Sequence, residues 1–335
     1  MSENEKEISD KLLSLIEEAD SIAIIGHVHP DGDCMGSNLA MMNYIIDNYE
    51  GKTVDVYDEV FSESFKVLAG HEKVKHEKSD KIYDLAISID VSDLARLSTS
   101  ANIFDSAKHT VCIDHHVSNP GFGELCYVAP DASSACEAMC DLIELDKISE
   151  RTANCLYLGM VHDTGVFKYS STSRRTMELA GLMIEKGAKP EIIIDETFYK
   201  KTYKQNKLMA RVVMDSVLHE DGKLISGFAT KAIFDEYGCT SMDTDGIVEQ
   251  LRLTDGVEVA AFAYQLKPGE IKFSLRAKSY VDVNVIANTF GGGGHVRAAG
   301  FTTTESFEDA LAKVIELAKL QLKEFLIHDI KRRSF

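Results

Sequence analysis

Short apolar runs that each stop close to a polar loop constrain this chain more than any other feature. Such runs occupy residues 21–26, 53–57, 85–89 and 110–113, and helical apolar spacing fills the stretches at 5–20 and 36–49. Alternation of this kind builds a parallel sheet with helices on its faces, and ligands gather at the carboxyl ends of its strands. Asp90 and Asp114 fall at such ends. Further helical patterns cover residues 133–144, 150–161 and 174–186.

A boundary is expected near Gly187 to Pro190, and residues 200–220 beyond it read as one long helix able to serve as a connector. The remainder mixes strands at 224–228, 257–266 and 271–277 with helices at 244–253 and 307–325, and the glycine run from Gly291 is expected in a loop between helix and strand. The expected architecture is therefore α/β. An N-terminal domain over 1–188 carries the parallel sheet flanked by helices, a helical connector spans 189–220, and a smaller α+β domain spans 221–328. A length of 335 residues suits two cores better than one.

Bulk properties narrow the partners. A formal charge of -18 opposes the neutralisation of many phosphates that long duplex nucleic acid requires, so a short or small phosphorylated substrate fits better. No apolar run approaches the roughly 20 residues of a membrane span. The N-terminus, MSENEKEISDKLL, lacks a signal peptide's apolar centre, which makes the cytoplasm the expected location. The 7 cysteines include no C-x-x-C pair and read as buried thiols in a reducing compartment.

Five segments concentrate Asp and His: GHVHPDGDCMGS from Gly26, AISIDVSD from Ala86, VCIDHHVSN from Val111, GMVHDTG from Gly159, and GGGGHVRAAGF from Gly291. Carboxylates and imidazoles at the tips of apolar runs are the donors that divalent cations take. The first segment places His27, Asp31 and Asp33 on one short loop, and Gly36-Ser37 is expected to open the next helix with amides free for an anion. Taken singly, Asp90 or Asp93 would serve as a helix cap, and Asp163 would be an exposed carboxylate at a helix end. The adjacent imidazoles of Asp114-His115-His116 point instead to metal binding or catalysis.

Together, these segments resemble the DHH phosphoesterase superfamily, named for the triplet present here at residues 114–116. The elements H-x-x-P-D-x-D-x-x-G-S at His27 to Ser37, Asp90, D-H-H and D-T-G at Asp163 to Gly165 occur in the family's order. The glycine-His run and the SLRAK strand bearing Arg276 resemble the associated DHHA1 domain. Length and domain order are similar to those of NrnA-type nanoRNases and pAp phosphatases. RecJ-type exonucleases carry extra domains for which this chain has no room, and family II pyrophosphatases lack the glycine-His loop.

The resemblance implies a first metal held by His27, Asp31 and Asp90 and a second held by Asp33, Asp90, His115 and Asp163, with Asp90 bridging. Manganese is the expected ion, with magnesium or cobalt as substitutes. His29 and Cys34 are taken as neighbours of this set rather than members. The implied reaction is phosphoester hydrolysis by water activated between two metals, with Asp90 and His116 as catalytic residues. Arg276, Gly292, Gly293, Gly294, His295 and Arg297 would bind the substrate's phosphates. Substrates are expected to be short oligoribonucleotides or 3'-phosphoadenosine 5'-phosphate, with pApA or cyclic di-AMP as the alternative. Inorganic pyrophosphate or nucleotide binding without chemistry ranks lower. Hinge closure around residues 187–220 is expected, a homodimer is allowed for, and neither duplex nucleic acid nor membrane is a partner.

Overall fold

The computed structural model describes residues 3–77 and 79–333. The chain divides into two compact units, Met1–Lys200 and Lys201–Phe335. In the first, the strands are β1 (Ser21–Ile25), β2 (Thr53–Tyr57), β3 (Val74–Lys75), β4 (Leu85–Ile89), β5 (His109–Asp114) and β6 (Leu125–Val128). Among the described residues they form a six-stranded parallel sheet in the order β3-β2-β1-β4-β5-β6. The order reverses between β1 and β4, so the carboxyl ends of these two strands flank a switch-point crevice.

Alternation along each strand sends side chains to opposite faces. Ile22 and Ile24 of β1 join the larger core, whereas Ala23 and Ile25 join a smaller one with Ala86, Ile103 and Phe104. The helices of this unit are α1 (Glu3–Glu18), α2 (Gly32–Asn48), α3 (Ala101–Ser106), α4 (Ala135–Met139), α5 (Glu150–Asp163), α6 (Arg174–Glu185) and α7 (Pro190–Ile194). Helix α2 begins four residues before the expected opening at Gly36. Its first turn is buried yet polar, so apolar periodicity could not mark it. The pattern at 133–144 yields only the short α4 followed by turns.

The second unit contains α8 (Tyr203–Met214), α9 (Lys231–Tyr237), α10 (Ile247–Arg252), α11 (Val283–Asn288) and α12 (Phe307–Arg333). Its strands are β7 (Val217–His219), β8 (Leu224–Ala229), β9 (Val259–Lys267), β10 (Glu270–Ala277), β11 (Gly293–His295) and β12 (Ala298–Thr303), ordered β11-β12-β10-β9-β8-β7. Only β8 and β9 pair in parallel among these described strands. The expected helix over 200–220 is corrected here. It stops at Met214, and β7 turns back onto β8 through Glu220, Asp221 and Gly222, all at positive φ. Val217 and Leu218, which extended the helical spacing, are strand residues.

The glycine run is also corrected from a loop. Gly293 to His295 form the edge strand β11, paired with β12. A ladder of near-parallel rings runs Phe290, Phe301, Phe273, Phe307 and Phe228, and it fixes the strand beneath that edge. A Cβ on Gly292 would fall 2.4 Å from Phe301 Cβ, and one on Gly294 2.5 Å from Ala298 O. Packing therefore requires glycine at both positions.

Candidate metal centre

β1 hands the chain to Gly26, where a Cβ would lie 2.0 Å from Asp58 Oδ1 and 2.4 Å from Cys34 Sγ. Glycine thus lets the strand end press on a buried group in which Asn38 Nδ2 donates to both Asp58 oxygens at 3.1 and 3.2 Å. The His27 N–H donates to Cys34 Sγ at 3.3 Å, which fixes the backbone there. His27 Nδ1 lies 2.7 Å from Val28 O, a contact that keeps the proton on Nδ1 and the lone pair on Nε2.

Asp31 shares the loop with His27, as the sequence suggested, whereas Asp33 does not. Asp31 caps α2, its Oδ1 accepting from the amides of Asp33 and Cys34 at 3.0 and 3.1 Å, and Asp33 lies in the first helical turn. The amides expected to await an anion are therefore engaged by Asp31. Asp33 is fully buried, and its two oxygens accept from Ala135 N at 2.5 Å and Cys136 N at 3.0 Å where α4 begins. Helix α5 approaches α2 over glycine: a Cβ on Gly159 would lie 2.5 Å from Asp33 Oδ1, and one on Gly32 would lie 2.1 Å from His162 Cγ. That approach delivers Asp163, the last residue of α5.

β4 and β5 supply the rest. Asp90 is buried and held at φ 62, a left-handed conformation that costs a non-glycine residue about 1–3 kcal/mol and tends to occur at functional sites. His27 Nε2 lies 3.5 Å from Asp90 Oδ2 and 3.9 Å from Asp31 Oδ1. His115 Nε2 lies 3.2 Å from Asp163 Oδ2, 3.6 Å from Asp90 Oδ1 and 3.8 Å from Asp33 Oδ2. The six residues singled out as metal ligands, His27, Asp31, Asp33, Asp90, His115 and Asp163, are thus neighbours around Asp90. His116 Nδ1 also lies 3.6 Å from Asp90 Oδ1, but it pairs with Asp114 Oδ1 at 2.8 Å.

Crowded carboxylates alter one another's protonation. Burial, and then the charge of Asp90, push the Asp33 carboxyl well above the usual carboxylate range, and burial also raises Asp163. Burial opposes ionisation of Asp90 too, but the imidazoles of His115 and His27, 3.6 and 3.5 Å away, outweigh it and hold the group down at about 2. His115 loses solvation and yet is held up to about 12 by Asp163 and Asp90. The Asp114 contact raises His116.

The donor set fits divalent ions, being carboxylate and imidazole without an accompanying lysine. Asp90 Oδ1 is buried with no hydrogen-bond partner, which costs roughly 1–3 kcal/mol unless something binds it. Cys34 Sγ comes within ligand range of His27 and Asp90. Burial raises its thiol well above the ordinary value, and a neutral thiol is a poor ligand. His29 is exposed beside Glu59, 3.6 Å away.

Arg276, Gly292, Gly293, Gly294, His295 and Arg297 belong to the second unit. Arg276 Nη1 donates to Leu275 O at 3.0 Å and Arg297 Nη1 to Val281 O at 2.7 Å, while His295 is exposed on β11. Sequence reasoning missed three neighbours of the cluster. Asp58 closes β2 beside Cys34, Asn119 Nδ2 donates to Asp114 Oδ2 at 2.6 Å, and Arg96 Nη2 lies 3.2 Å from His27 Nδ1. Asp58 alone had a signal, as a third acid at a strand end.

Sheet order and the acid–imidazole cluster at its switch point are those of a doubly wound α/β protein with a donor set suited to metal ions. The chain belongs to the DHH family, whose N-terminal domain matches residues 21–160, with a DHHA1 domain matching residues 221–324. It is 31% identical over 293 residues to the probable bifunctional oligoribonuclease and PAP phosphatase NrnA of Streptococcus mutans, covering 86% of this chain and 91% of that protein. It is 28% identical to the cyclic-di-AMP phosphodiesterase PdeA of Listeria monocytogenes, covering 87% of this chain and 46% of that protein. Its fold matches an exopolyphosphatase-related protein from Bacteroides fragilis with a TM-score of 0.83 at 24% identity, covering 94% of this chain and 96% of the other. Among the described residues no helix is long and apolar enough to cross a membrane.

Proposed function

We propose that this chain is a metal-dependent phosphoesterase that hydrolyses short oligoribonucleotides and 3'-phosphoadenosine 5'-phosphate. The observation that carries the reading is the meeting of His27 and His115 on Asp90, one oxygen of which is buried and unpartnered, with Asp33 and Asp163 also against His115. The substrate class is supported by similarity to the NrnA of S. mutans over most of both chains.

One divalent ion, manganese by preference, would be held by His27, Asp31 and Asp90, and another by Asp33, Asp90, His115 and Asp163. Bound ions of this kind make a water nucleophile available near neutral pH and neutralise phosphoryl charge. Asp90, common to both sets, positions the two donor groups with respect to each other. His116 keeps one proton on Nδ1 against Asp114, which raises its affinity for a second proton at Nε2, the one it gives to the departing oxygen. Arg276 and His295, with Arg297 in a lesser part, contact the substrate's other phosphates, and the run from Gly292 through the exposed Gly293 and Gly294 lets the same charge approach the backbone closely.

The test is a panel of pAp, di- to pentaribonucleotides, pApA, cyclic di-AMP and pyrophosphate with manganese, run on wild type and Asp90→Ala. Short RNA and pAp should be the best substrates. The variant should lose activity and bound manganese while keeping its circular dichroism, because one lost carboxylate disorganises two coordination spheres. Preference for pyrophosphate would overturn the substrate class, and an active Asp90→Ala would overturn the metal assignment. Cyclic di-AMP as best substrate would favour the second reading, which the Listeria relative supports.

A further inference from the structure

Cys112 of β5 and Cys126 of β6 stand directly opposite each other on parallel strands. Both are free thiols, and each shifts the acidity of the other. Adjacent strands lie about 4.8 Å apart, within the roughly 4.4–6.8 Å between Cα atoms that a disulfide spans. β6 is the sheet's edge strand, so small movements toward β5 disturb no further strand. Cys126 is half-buried, and its Sγ lies against the exposed turn at Gly121, where a Cβ would stand 3.6 Å from it.

Within the pair Cys126 is the more acidic thiol. The neighbouring Cys112, aided by the Phe122 amide, pushes Cys126 down, whereas Cys126 and burial push Cys112 up and burial raises Cys34, Cys136, Cys140, Cys155 and Cys239. The pair also adjoins the Asp114-His115-His116 triplet. Asn119 Nδ2 lies 3.6 Å from Cys112 Sγ, 2.6 Å from Asp114 Oδ2 and 3.0 Å from Val91 O, while its Oδ1 accepts the Gly121 N–H at 2.8 Å. Asp114 in turn holds His116.

We propose that Cys112 and Cys126 form a hydroperoxide-oxidised pair whose disulfide loosens the Asn119 grip on Asp114 and slows the enzyme. The Cys126 thiolate attacks one peroxide oxygen, so an S–O bond forms, the O–O bond breaks and the alcohol leaves with a proton from solvent. Cys112 sulfur then attacks Cys126 sulfur. The S–S bond forms, the S–O bond breaks, and hydroxide departs as water with the Cys112 proton. Two thiols have lost two electrons to one peroxide. A cross-strand bridge is strained enough to stay reducible, which makes the change reversible. The slowing rests on the phosphoesterase reading; the disulfide does not.

The experiment treats the full chain with hydrogen peroxide, alkylates the remaining thiols and maps the peptides, with activity on short RNA measured in parallel. A Cys112–Cys126 linkage should appear before other cysteines react. Activity should fall about tenfold, the usual scale for losing a group that orients a catalytic residue, and return with dithiothreitol. Cys126→Ser, or Cys126→Ala should the first fold poorly, should keep basal activity and resist peroxide. Cys112→Ser should leave a Cys126 sulfenic acid that dimedone traps. Recovery of both residues as alkylated thiols while other cysteines oxidise would overturn the pair. A linked protein with full activity would overturn the coupling. Were the reduced protein inactive on every phosphoester, the function reading would fail, and the peptide map would still decide the disulfide.

Discussion

Asp58 closes β2 with a carboxyl group that is buried against Cys34 and Asn38. Burial raises it from 3.8 to about 7. Folded protein therefore binds this proton more tightly than unfolded chain does, so stability is favoured below the unfolded value and declines as pH rises through the folded one. Asp58→Asn removes that dependence. In chelator-treated protein the variant should gain on wild type between pH 5 and pH 8, by at most about 4 kcal/mol, the full worth of a shift of roughly three pH units. Denaturant melts at the two pH values measure this, and parallel behaviour of the two proteins would refute it. Asn119 and Arg96 escape a reading of the sequence because nothing in their spacing ties them to the cluster, and Asp58 offers only its place at a strand end. Each reaches it from a separate element. The six candidate ligands were legible for the opposite reason, since three of the five short motifs bring carboxylate and imidazole together and a fourth ends a strand in Asp90.

At the level of elements, α2 and α5 decide how far apart Asp33 and Asp163 stand. Their contact runs over Gly32, Gly36 and Gly159, and a Cβ on Gly36 would lie 2.7 Å from Cys155 O. Gly159→Ala should destabilise by about 1–3 kcal/mol through overpacking. Because its new methyl would meet Asp33 Oδ1 and Cys136 Sγ, manganese affinity should fall as well. Thermal melts with and without manganese separate the two effects, and a variant that bound metal normally would show that the spacing tolerates change. The sequence marked β1, β2, β4 and β5 well, since each is a compact apolar run. It marked the start of α2 and the whole of β7 and β11 poorly. Buried polar side chains hid the first, local helical spacing disguised the second, and glycine carries no strand signal for the third.

For the whole molecule, the two units should respond differently to metal. All six candidate ligands lie in Met1–Lys200, so manganese should stabilise the unfolding transition of that unit by about 2.7 kcal/mol at a hundredfold excess over its Kd. The transition of Lys201–Phe335 should not move, and neither should change in Asp90→Ala. Calorimetry of the full chain distinguishes these outcomes; a shift in both transitions would place metal binding elsewhere. Position 90 also has a meaning beyond chemistry. It combines a buried charge, an oxygen with no partner and a left-handed backbone, three burdens on the metal-free fold. Natural sequences keep such residues because selection acts on use as well as on robustness. A laboratory selection for heat tolerance alone would be drawn to this residue early, and the survivors would be sturdier and inert.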